Sequence, residues 1–278
     1  MGEEDITSRL EVAKEAIREA GALALRAFHR RDRLAVTQKG PQDWVSQADR
    51  QVEQLVRARL LERFPEDRFL GEEGGGELGQ QGWLLDPIDG TANFLRGIPY
   101  WSIALAFLAD GRVELALTLD PVHDELFTAR LGHGAWAGSR LLRVSQRAEP
   151  GQAVVALGHR FGDRSAEYAA LVTALLAQGF EHRRLGSVAL SLAHVADGRL
   201  EALIAPAMRA WDVVPGLLLV REAGGWCRDF PLSRHASAPV AAANRALAPL
   251  VAEILEESSQ GKAFEPAPAA RPPQRGRQ

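Results

Sequence analysis

Trp83-Leu84-Leu85-Asp86-Pro87-Ile88-Asp89-Gly90-Thr91 is the stretch that decides how this chain is interpreted. It is an apolar run that ends in two carboxylates three residues apart, with a proline between them. Because proline cannot donate a backbone hydrogen bond to a neighbouring strand, we expect the strand to stop at Pro87. Two acids at a strand end, just before a predicted helix start, suit a hard cation and a phosphate. An Asx turn with solvated acids is an equally open interpretation of this segment alone.

The composition is that of an ordinary globular protein. The chain has 278 residues, of which 46% are hydrophobic and 25% charged, and its formal net charge of −3 gives no general attraction to nucleic acid. A single cysteine, Cys227, excludes a disulfide framework. The acidic start of the chain does not resemble a signal peptide, and no apolar run approaches the ~18 residues of a membrane span. We therefore expect a soluble, cytoplasmic protein.

The first third of the chain predicts two helices, a loop and a strand. Residues 8–11 form a capping-box pattern that would open a long helix, and residues 46–49 would open a second one. Residues 38–43 between them predict a loop. Residues 68–70 predict a short strand, and the glycine-rich residues 71–76 that follow are expected to be mobile.

From Trp101 the hydrophobic period changes from helical to alternating. Alternation over residues 101–107, the hairpin signal Asp110-Gly111, and strands predicted at 113–119 and 125–129 indicate an antiparallel meander. The second half alternates strands with helices, predicted at residues 153–157, 165–178, 187–196, 200–204 and 212–223. This mixture predicts an α+β protein in which helices cover sheets, followed by a disordered tail rich in Pro, Ala and Arg.

Four acids stand beside breaks in the regular pattern: Glu72, Asp86, Asp89 and Asp212. Together they would suit a metal ion, since Mg²⁺ takes oxygen ligands. These acids also have ordinary explanations that involve no metal. Glu72 would then be a solvated loop acid, and Asp212 would cap its helix. Periodicity alone does not place Asp212 near Asp86 in space.

The order of the motifs resembles the inositol monophosphatase family of metal-dependent sugar phosphatases. Residues 83–91 match its W-x-x-D-P-[IL]-D-G-T signature, and residues 211–225 contain its second signature, Trp-Asp followed by Arg-Glu-Ala-Gly-Gly. Residues 39–49 look like its N-terminal element, and residues 186–189 resemble its G-[ST]-A-A turn. A lone D-x-x-D would be a weak signal, but this set occurs in the family's order over most of the chain.

The resemblance implies a five-layer αβαβα sandwich of the inositol monophosphatase and fructose-1,6-bisphosphatase type. A single catalytic domain would cover residues 1–260, with a metal-binding half at about 1–145 and an α/β half at about 146–260. Residues 261–278 would form the disordered tail. The family relationship further implies a homodimer, sensitivity to lithium, and two or three Mg²⁺ ions in each subunit.

The resemblance also assigns ligands to these ions. Glu72, Asp86 and the backbone carbonyl of Ile88 would bind one ion, while Asp86, Asp89 and Asp212 would bind a second. Asp86 would bridge the two ions, and Glu72 would help to hold a weaker third. Two ions about 3.5–4 Å apart can stabilise both the entering and the leaving oxygen of a phosphate hydrolysis.

Catalysis is expected to use a water molecule activated by the metal. We predict that Glu72 lies nearest this water and accepts its proton. Thr91 would orient the water if Asp49 accepts the threonine proton, although Asp49 is also compatible with an ordinary acid at a helix start. Gly90 and Thr91 would donate backbone N–H groups to the phosphate at the beginning of a short helix.

Substrate choice is expected to depend on residues beyond the metal ligands. The predicted substrate contacts are Asp89, Gly90, Thr91, Gly186, Ser187, Val188 and Asp212. In inositol-specific members of the family, a glutamate seven residues before the Trp-Asp aspartate binds ring hydroxyls, and this chain has Ala205 there. A methyl group cannot accept a hydroxyl proton, so Ala205 puts inositol phosphate in doubt without affecting the hydrolysis.

The sequence therefore predicts a Mg²⁺-dependent phosphomonoesterase for a small phosphorylated polyol, such as inositol 1-phosphate or a similar sugar phosphate. Histidinol phosphate, fructose 1,6-bisphosphate and adenosine 3′,5′-bisphosphate are alternatives, and Ala205 makes histidinol phosphate the runner-up. A different class of protein, an RNA-associated regulator on the same fold, also stays open. Its motivation is the tail, where Lys262, Arg271, Arg275 and Arg277 outnumber Glu265, enough for weak, salt-sensitive contact with RNA.

Overall fold

Two β-sheets alternate with layers of helices in the computed structural model, which describes residues 2–40, 43–160, 164–232 and 237–260. The helices are α1 (Glu3–His29), α2 (Gln47–Arg63), α3 (Thr91–Arg96), α4 (Ser165–Ala177), α5 (Val188–Ala196), α6 (Ala210–Glu222) and α7 (Ala248–Ser259). The strands are β1 (Val36–Gly40), β2 (Asp43–Ser46), β3 (Arg68–Gly71), β4 (Gly75–Gly76), β5 (Gln81–Asp89), β6 (Ser102–Ala109), β7 (Arg112–Asp120), β8 (Glu125–Arg130), β9 (Ala135–Ala137), β10 (Arg140–Leu141), β11 (Val154–Leu157), β12 (Glu181–Arg183), β13 (Ala202–Arg209), β14 (Trp226–Cys227) and β15 (Ser237–Ala243).

The layers follow the order helix, sheet, helix, sheet, helix. Helices α1 and α2 cover one face of an eight-stranded sheet with the order β10-β9-β8-β7-β6-β5-β3-β4. Helices α5 and α6 lie between this sheet and a five-stranded sheet with the order β12-β11-β13-β15-β14, whose outer face is covered by α4 and α7. The predicted α+β, five-layer αβαβα sandwich is thereby confirmed. The division into halves near residue 145 stays a prediction, and the tail 261–278 lies outside the described residues.

The first helix begins earlier than predicted. Helix α1 starts at Glu3 and has three acids in its first turn, where the helix dipole favours negative charge. Ser8 is therefore inside the helix, and the capping box predicted there is wrong. The capping box predicted at the second helix is confirmed, because Ser46 Oγ accepts from the Ala48 N–H at 3.1 Å and Asp49 accepts from the Ser46 N–H at 2.8 Å.

The segment predicted as a loop before α2 is largely a hairpin. Residues 38–40 belong to β1, and Asp43 opens β2, which pairs with β1 in the antiparallel sense. Residues 41 and 42 between them lie outside the described part. The loop prediction failed for residues 38–40 and for Asp43 because their strands pair with each other.

Strand β5 continues through its proline to Asp89, so the prediction that it stops at Pro87 is wrong. Asp86 pairs with Ala104 and Asp89 with Ser102, which leaves one extra residue in β5 at this point. Such a bulge accommodates a residue that cannot donate to the ladder. Residues three apart in a regular strand point to opposite faces, and the extra residue brings both aspartates to the same face. Strand β13 likewise passes its own proline with a register shift and runs to Arg209, beyond the predicted end at 204.

No helix within the described ranges is long and apolar enough to span a bilayer.

Candidate metal and phosphate site

A cavity of about 430 Å³ opens where β5, α3, α5 and α6 approach one another. It is within the size range of small-molecule sites. Ten of the eleven predicted site residues line it: Glu72, Asp86, Ile88, Asp89, Gly90, Thr91, Gly186, Ser187, Val188 and Asp212. Asp49 lies behind this wall, with its Oδ1 3.4 Å from the Thr91 hydroxyl. The structure therefore brings together residues that are up to 140 positions apart in the sequence.

Three elements supply the four carboxylates of the cavity. Glu72 comes from the turn between β3 and β4, Asp86 and Asp89 from the bulged end of β5, and Asp212 from the first turn of α6. Asp212 does not occupy the cap position considered from the sequence. Helix α6 begins at Ala210, and the Asp212 Oδ2 accepts from the Arg209 N–H at 2.9 Å from inside the first turn.

Hydrogen bonds orient the two aspartates of β5. The Asp86 Oδ1 accepts from the Ile88 N–H at 3.1 Å. The Asp89 Oδ2 accepts from the Ser187 hydroxyl at 2.5 Å and from the Ala189 N–H at 2.7 Å. Each of these carboxylates is thus fixed through one of its two oxygens, which is how surrounding groups commonly orient a metal ligand.

Burial raises the pKa of both aspartates, because the charged form loses its hydration. The pKa of Asp89 rises to about 7, chiefly through burial and then through the negative charge of Asp212. The pKa of Asp86 lies well above its usual value, again through burial first and then through Glu72, Asp89 and Asp212. Carboxylates that raise one another's pKa in this way would be stabilised in their charged form by a cation.

The donor set fits a hard divalent cation, because it consists of carboxylates and carbonyl oxygens. Among the described residues, no three His, Cys, Asp or Glu side chains already surround one ion position. The fit therefore rests on the chemistry of the donors, their shared cavity and their mutual repulsion. Ile88 can contribute its carbonyl while it also accepts from the Thr91 hydroxyl at 3.0 Å, because a carbonyl oxygen has two lone pairs.

The Thr91–Asp49 pair predicted from the sequence is present, but it competes with another contact. The Thr91 hydroxyl lies closer to the Ile88 carbonyl (3.0 Å) than to the Asp49 Oδ1 (3.4 Å). The other oxygen of Asp49 accepts from the Ser46 hydroxyl at 2.5 Å and from its N–H. The geometry agrees with both roles considered for Asp49, an acid at a helix start and a partner of Thr91. It belongs to the cap of α2 and also contacts Thr91. Burial raises its pKa to about 6.

The first turn of α3 faces the cavity, and it requires glycine at its cap. Gly90 has a φ of +96°, and a Cβ there would lie 3.1 Å from the Gly186 carbonyl oxygen and 3.3 Å from Ser187 Cβ. Asn93 connects the two segments, because its Nδ2 donates to the carbonyls of Tyr100 and Leu185 at 2.8 Å each. The backbone N–H groups at the start of α3 thereby lie beside the acids, where a helix N-terminus favours a phosphate.

Sequence reasoning missed several residues of the cavity wall. They are Trp44, Arg96, Leu157, Gly158, Arg184 and Met208. His159 and Arg160, for which the sequence left open either a further substrate contact or a surface position, also line the cavity. Trp44 lies within the N-terminal element at residues 39–49, but no motif marks the other positions, because they come from separate elements and only the tertiary fold brings them together. The side chain of Lys39, in the predicted N-terminal element, lies outside the described part of the chain.

Ala205 is not part of the wall. It is fully buried, and a Cβ added to Gly158 would lie only 2.8 Å from its methyl group. The side chains exposed to the cavity in this region are Leu157, Val188 and Met208. The described wall is therefore apolar at these three positions, and the methyl group of Ala205 lies behind Gly158.

The glycine-rich segment 71–76, predicted to be mobile, is held by hydrogen bonds. Glu53 of α2 accepts from the N–H groups of Glu73 (2.9 Å) and Gly74 (2.8 Å), and Arg57 donates to the Gly75 carbonyl at 3.0 Å. Gly75 and Gly76 also pair with β3. The segment therefore has fixed contacts that its glycines do not predict, because the buried Glu53 side chain accepts from its backbone N–H groups, and its mobility stays a prediction.

Replacing Glu53 with alanine is expected to lower phosphate release about 10- to 100-fold. The change leaves two backbone N–H groups of the Glu72 turn without their acceptor, and groups that orient a metal ligand are commonly worth this factor. Phosphate release at graded Mg²⁺ concentrations measures the effect, with Glu62→Ala on the exposed face of α2 as the matched control. Equal activity of the Glu53→Ala variant and the parent would show that the turn keeps Glu72 in place unaided.

Comparison with known proteins places the chain in a family. The sequence profile described as "Inositol monophosphatase family" matches residues 5–260. The chain is 40% identical over 225 residues to the inositol-1-monophosphatase of Rhizobium meliloti (79% of this chain, 85% of that protein). It is 39% identical over 230 residues to the Nus factor SuhB of Pseudomonas aeruginosa (80% and 85%).

Solved structures agree with this assignment. The extragenic suppressor protein suhB from Bartonella henselae superimposes with a TM-score of 0.84 at 33% identity, over 89% of this chain and 98% of that one. An IMPase from Thermotoga maritima gives a TM-score of 0.82 at 29% identity, over 91% and 98%. The family signature, the five-layer fold and the carboxylate-lined cavity therefore have one explanation: this chain belongs to the inositol monophosphatase family.

Proposed function

We propose that the protein is a Mg²⁺-dependent phosphomonoesterase that hydrolyses a small phosphorylated polyol or sugar. The observation that carries the proposal is the cavity in which Glu72, Asp86, Asp89 and Asp212 face the first turn of α3. Carboxylates repel a phosphate dianion unless cations lie between them, whereas a helix N-terminus attracts it. One cavity that combines both features suits a phosphate bound through metal ions.

Each residue of the cavity has its own role in the proposed reaction. Glu72, Asp86, Asp89, Asp212 and the Ile88 carbonyl would hold two or three Mg²⁺ ions. The bound cations would neutralise the phosphate and lower the pKa of a water molecule. Glu72 would accept the proton of that water at its carboxylate, and Thr91 would orient the water with Asp49 behind it. The N–H groups of Gly90 and Thr91 would hold the phosphate oxygens.

The cavity wall supports a substrate other than inositol phosphate. Beyond the phosphate position, the wall is apolar at Leu157, Val188 and Met208, while Arg96, Arg160 and Arg184 bring positive charge to the same cavity. A substrate hydroxyl that faces the three apolar residues would stay unpaired, which is unfavourable, whereas one that faces the arginines could accept from them. Histidinol phosphate, fructose 1,6-bisphosphate and adenosine 3′,5′-bisphosphate are therefore tested beside inositol 1-phosphate.

A phosphate-release assay over this panel tests the proposal. We expect Mg²⁺-dependent release from at least one compound, with kcat/KM for inositol 1-phosphate at least about 10-fold below that of the best substrate. Millimolar LiCl is expected to inhibit the reaction if the metal cycle is that of the family. The parent protein without divalent cation is the control. If no compound releases phosphate at any Mg²⁺ concentration, the proposed activity is wrong.

A second candidate is a regulatory role on the same fold. It is favoured by the relatives from Pseudomonas aeruginosa and Xylella fastidiosa, both named Nus factor SuhB, at 39% and 36% identity. Residues 261–278, with four basic residues against one acidic residue, are the segment through which we would first expect RNA contact. RNA retention that disappears with these residues, in a protein that releases no phosphate, would support this candidate.

For either role we propose that the protein is a homodimer located in the cytoplasm.

A further inference from the structure

A chain of polar side chains leads from the surface towards the back of the metal site. At its outer end, Arg199 pairs with Glu125, and the Arg199 Nη1 lies 3.3 Å from the His194 Nε2. The His194 Nδ1 lies 3.2 Å from the Tyr100 hydroxyl, and the two rings pack edge to face at 5.6 Å. His194 belongs to α5, and Tyr100 comes just before β6, so the contact joins two layers.

The direction of these hydrogen bonds follows from the arginine. A guanidinium only donates, so the His194 Nε2 must accept, and a neutral imidazole then carries its proton on Nδ1. Burial and the positive charge of Arg199 lower the pKa of His194 to about 4, which keeps the ring neutral near pH 7. The His194 Nδ1–H therefore donates to the Tyr100 oxygen, and the Tyr100 proton is directed to its other neighbour.

That neighbour is Ser191, whose Oγ lies 3.2 Å from the Tyr100 hydroxyl. The Ser191 hydroxyl donates in turn to the Ser187 carbonyl at 2.5 Å. Ser187 caps α5 and donates its own hydroxyl to the Asp89 Oδ2, beside the Ala189 N–H that binds the same oxygen. The Ser187 hydroxyl thus binds the Asp89 carboxylate directly, and Tyr100 is connected to Ser187 through the Ser191 hydroxyl and the Ser187 carbonyl.

We propose that Tyr100 is a positioning residue that fixes the Asp89 carboxylate for Mg²⁺ through Ser191 and Ser187, with His194 fixing the direction of the Tyr100 hydroxyl. This inference rests on the proposed function, because it takes Asp89 as a metal ligand. Removing groups that orient a metal ligand commonly lowers metal affinity 10- to 100-fold. Tyr100 acts through two intervening serines, so we expect an effect near the lower end of that range.

The test compares Tyr100→Phe with a matched control on β7 of the eight-stranded sheet. Thr118→Val removes a hydroxyl that is buried without a hydrogen-bond partner in the described residues. Calorimetric titration with Mg²⁺ is expected to show a dissociation constant about 10-fold higher for Tyr100→Phe and unchanged for Thr118→Val. Phosphate release should show the same shift in the Mg²⁺ dependence, with kcat at saturating Mg²⁺ within about 2-fold of the parent.

Variants at His194 separate positioning from a general loss of packing. His194→Leu removes the donor to Tyr100 and should weaken Mg²⁺ binding as Tyr100→Phe does. His194→Asn can place an amide N–H where Nδ1–H stood, and it should restore Mg²⁺ binding to within about 3-fold of the parent. An unchanged Mg²⁺ affinity in Tyr100→Phe would overturn the inference while leaving the proposed function intact. A parent protein that gives no Mg²⁺ binding at all would overturn the proposed function itself.

Discussion

Replacing Asp89 with asparagine is expected to lower kcat by at least about 10³-fold while the protein still folds. Charge stabilisation by a bound metal is worth several kcal/mol, and about 4 kcal/mol corresponds to roughly a thousandfold in rate. Asparagine keeps the shape of the side chain, and its Oδ1 can still accept from Ser187 and Ala189. It removes the negative charge on which the second Mg²⁺ would depend.

The folding side of this prediction follows from the raised pKa of Asp89. Burial opposes ionisation of this carboxyl, so a neutral amide at the same place should not destabilise the protein without metal. The melting temperature of Asp89→Asn in EDTA should therefore equal or exceed that of the parent. Asp110→Asn, in the exposed turn between β6 and β7, is the matched control and should retain full activity. Parental turnover in Asp89→Asn would contradict its role as a ligand.

Removal of divalent cations is expected to abolish phosphate release and to lower the melting temperature. Two like charges 4 Å apart repel by about 4 kcal/mol at an effective dielectric constant of about 20, and this cavity holds four carboxylates. Mg²⁺ bound only to the folded protein stabilises it by about 2.7 kcal/mol at a hundred times its dissociation constant. Thermal unfolding in EDTA, with and without excess Mg²⁺, measures this stabilisation independently of any substrate.

Asp89→Asn supplies the control for the metal effect. Its melting temperature should rise less on addition of Mg²⁺ than that of the parent, because one ligand is missing. Asp110→Asn should show the full rise. If Mg²⁺ changes neither the melting temperature nor the activity of the parent protein, the cavity is not a magnesium site.

The local motifs were predictable because each of them is formed by a short stretch of sequence. The apolar run before Asp86, the Gly-Thr step after Asp89 and the cap at Ser46 all depend on residues a few positions apart. Helix and strand types were mostly correct for the same reason. The prediction failed at Ser8 because acids further upstream already begin the helix. It failed at the hairpin before α2, at Pro87 and at the end of β13 because strand pairing overrides a local signal.

The sequence by itself determined the family, the α+β class and the four carboxylates, because each follows from residue types at fixed spacing. The tertiary structure alone decided three further matters. The bulge turns Asp86 and Asp89 to one face, Glu53 secures the turn that carries Glu72, and Ala205 lies behind Gly158 rather than in the cavity. Each depends on strand register or on contacts between distant segments, which the spacing of residues along the chain does not contain.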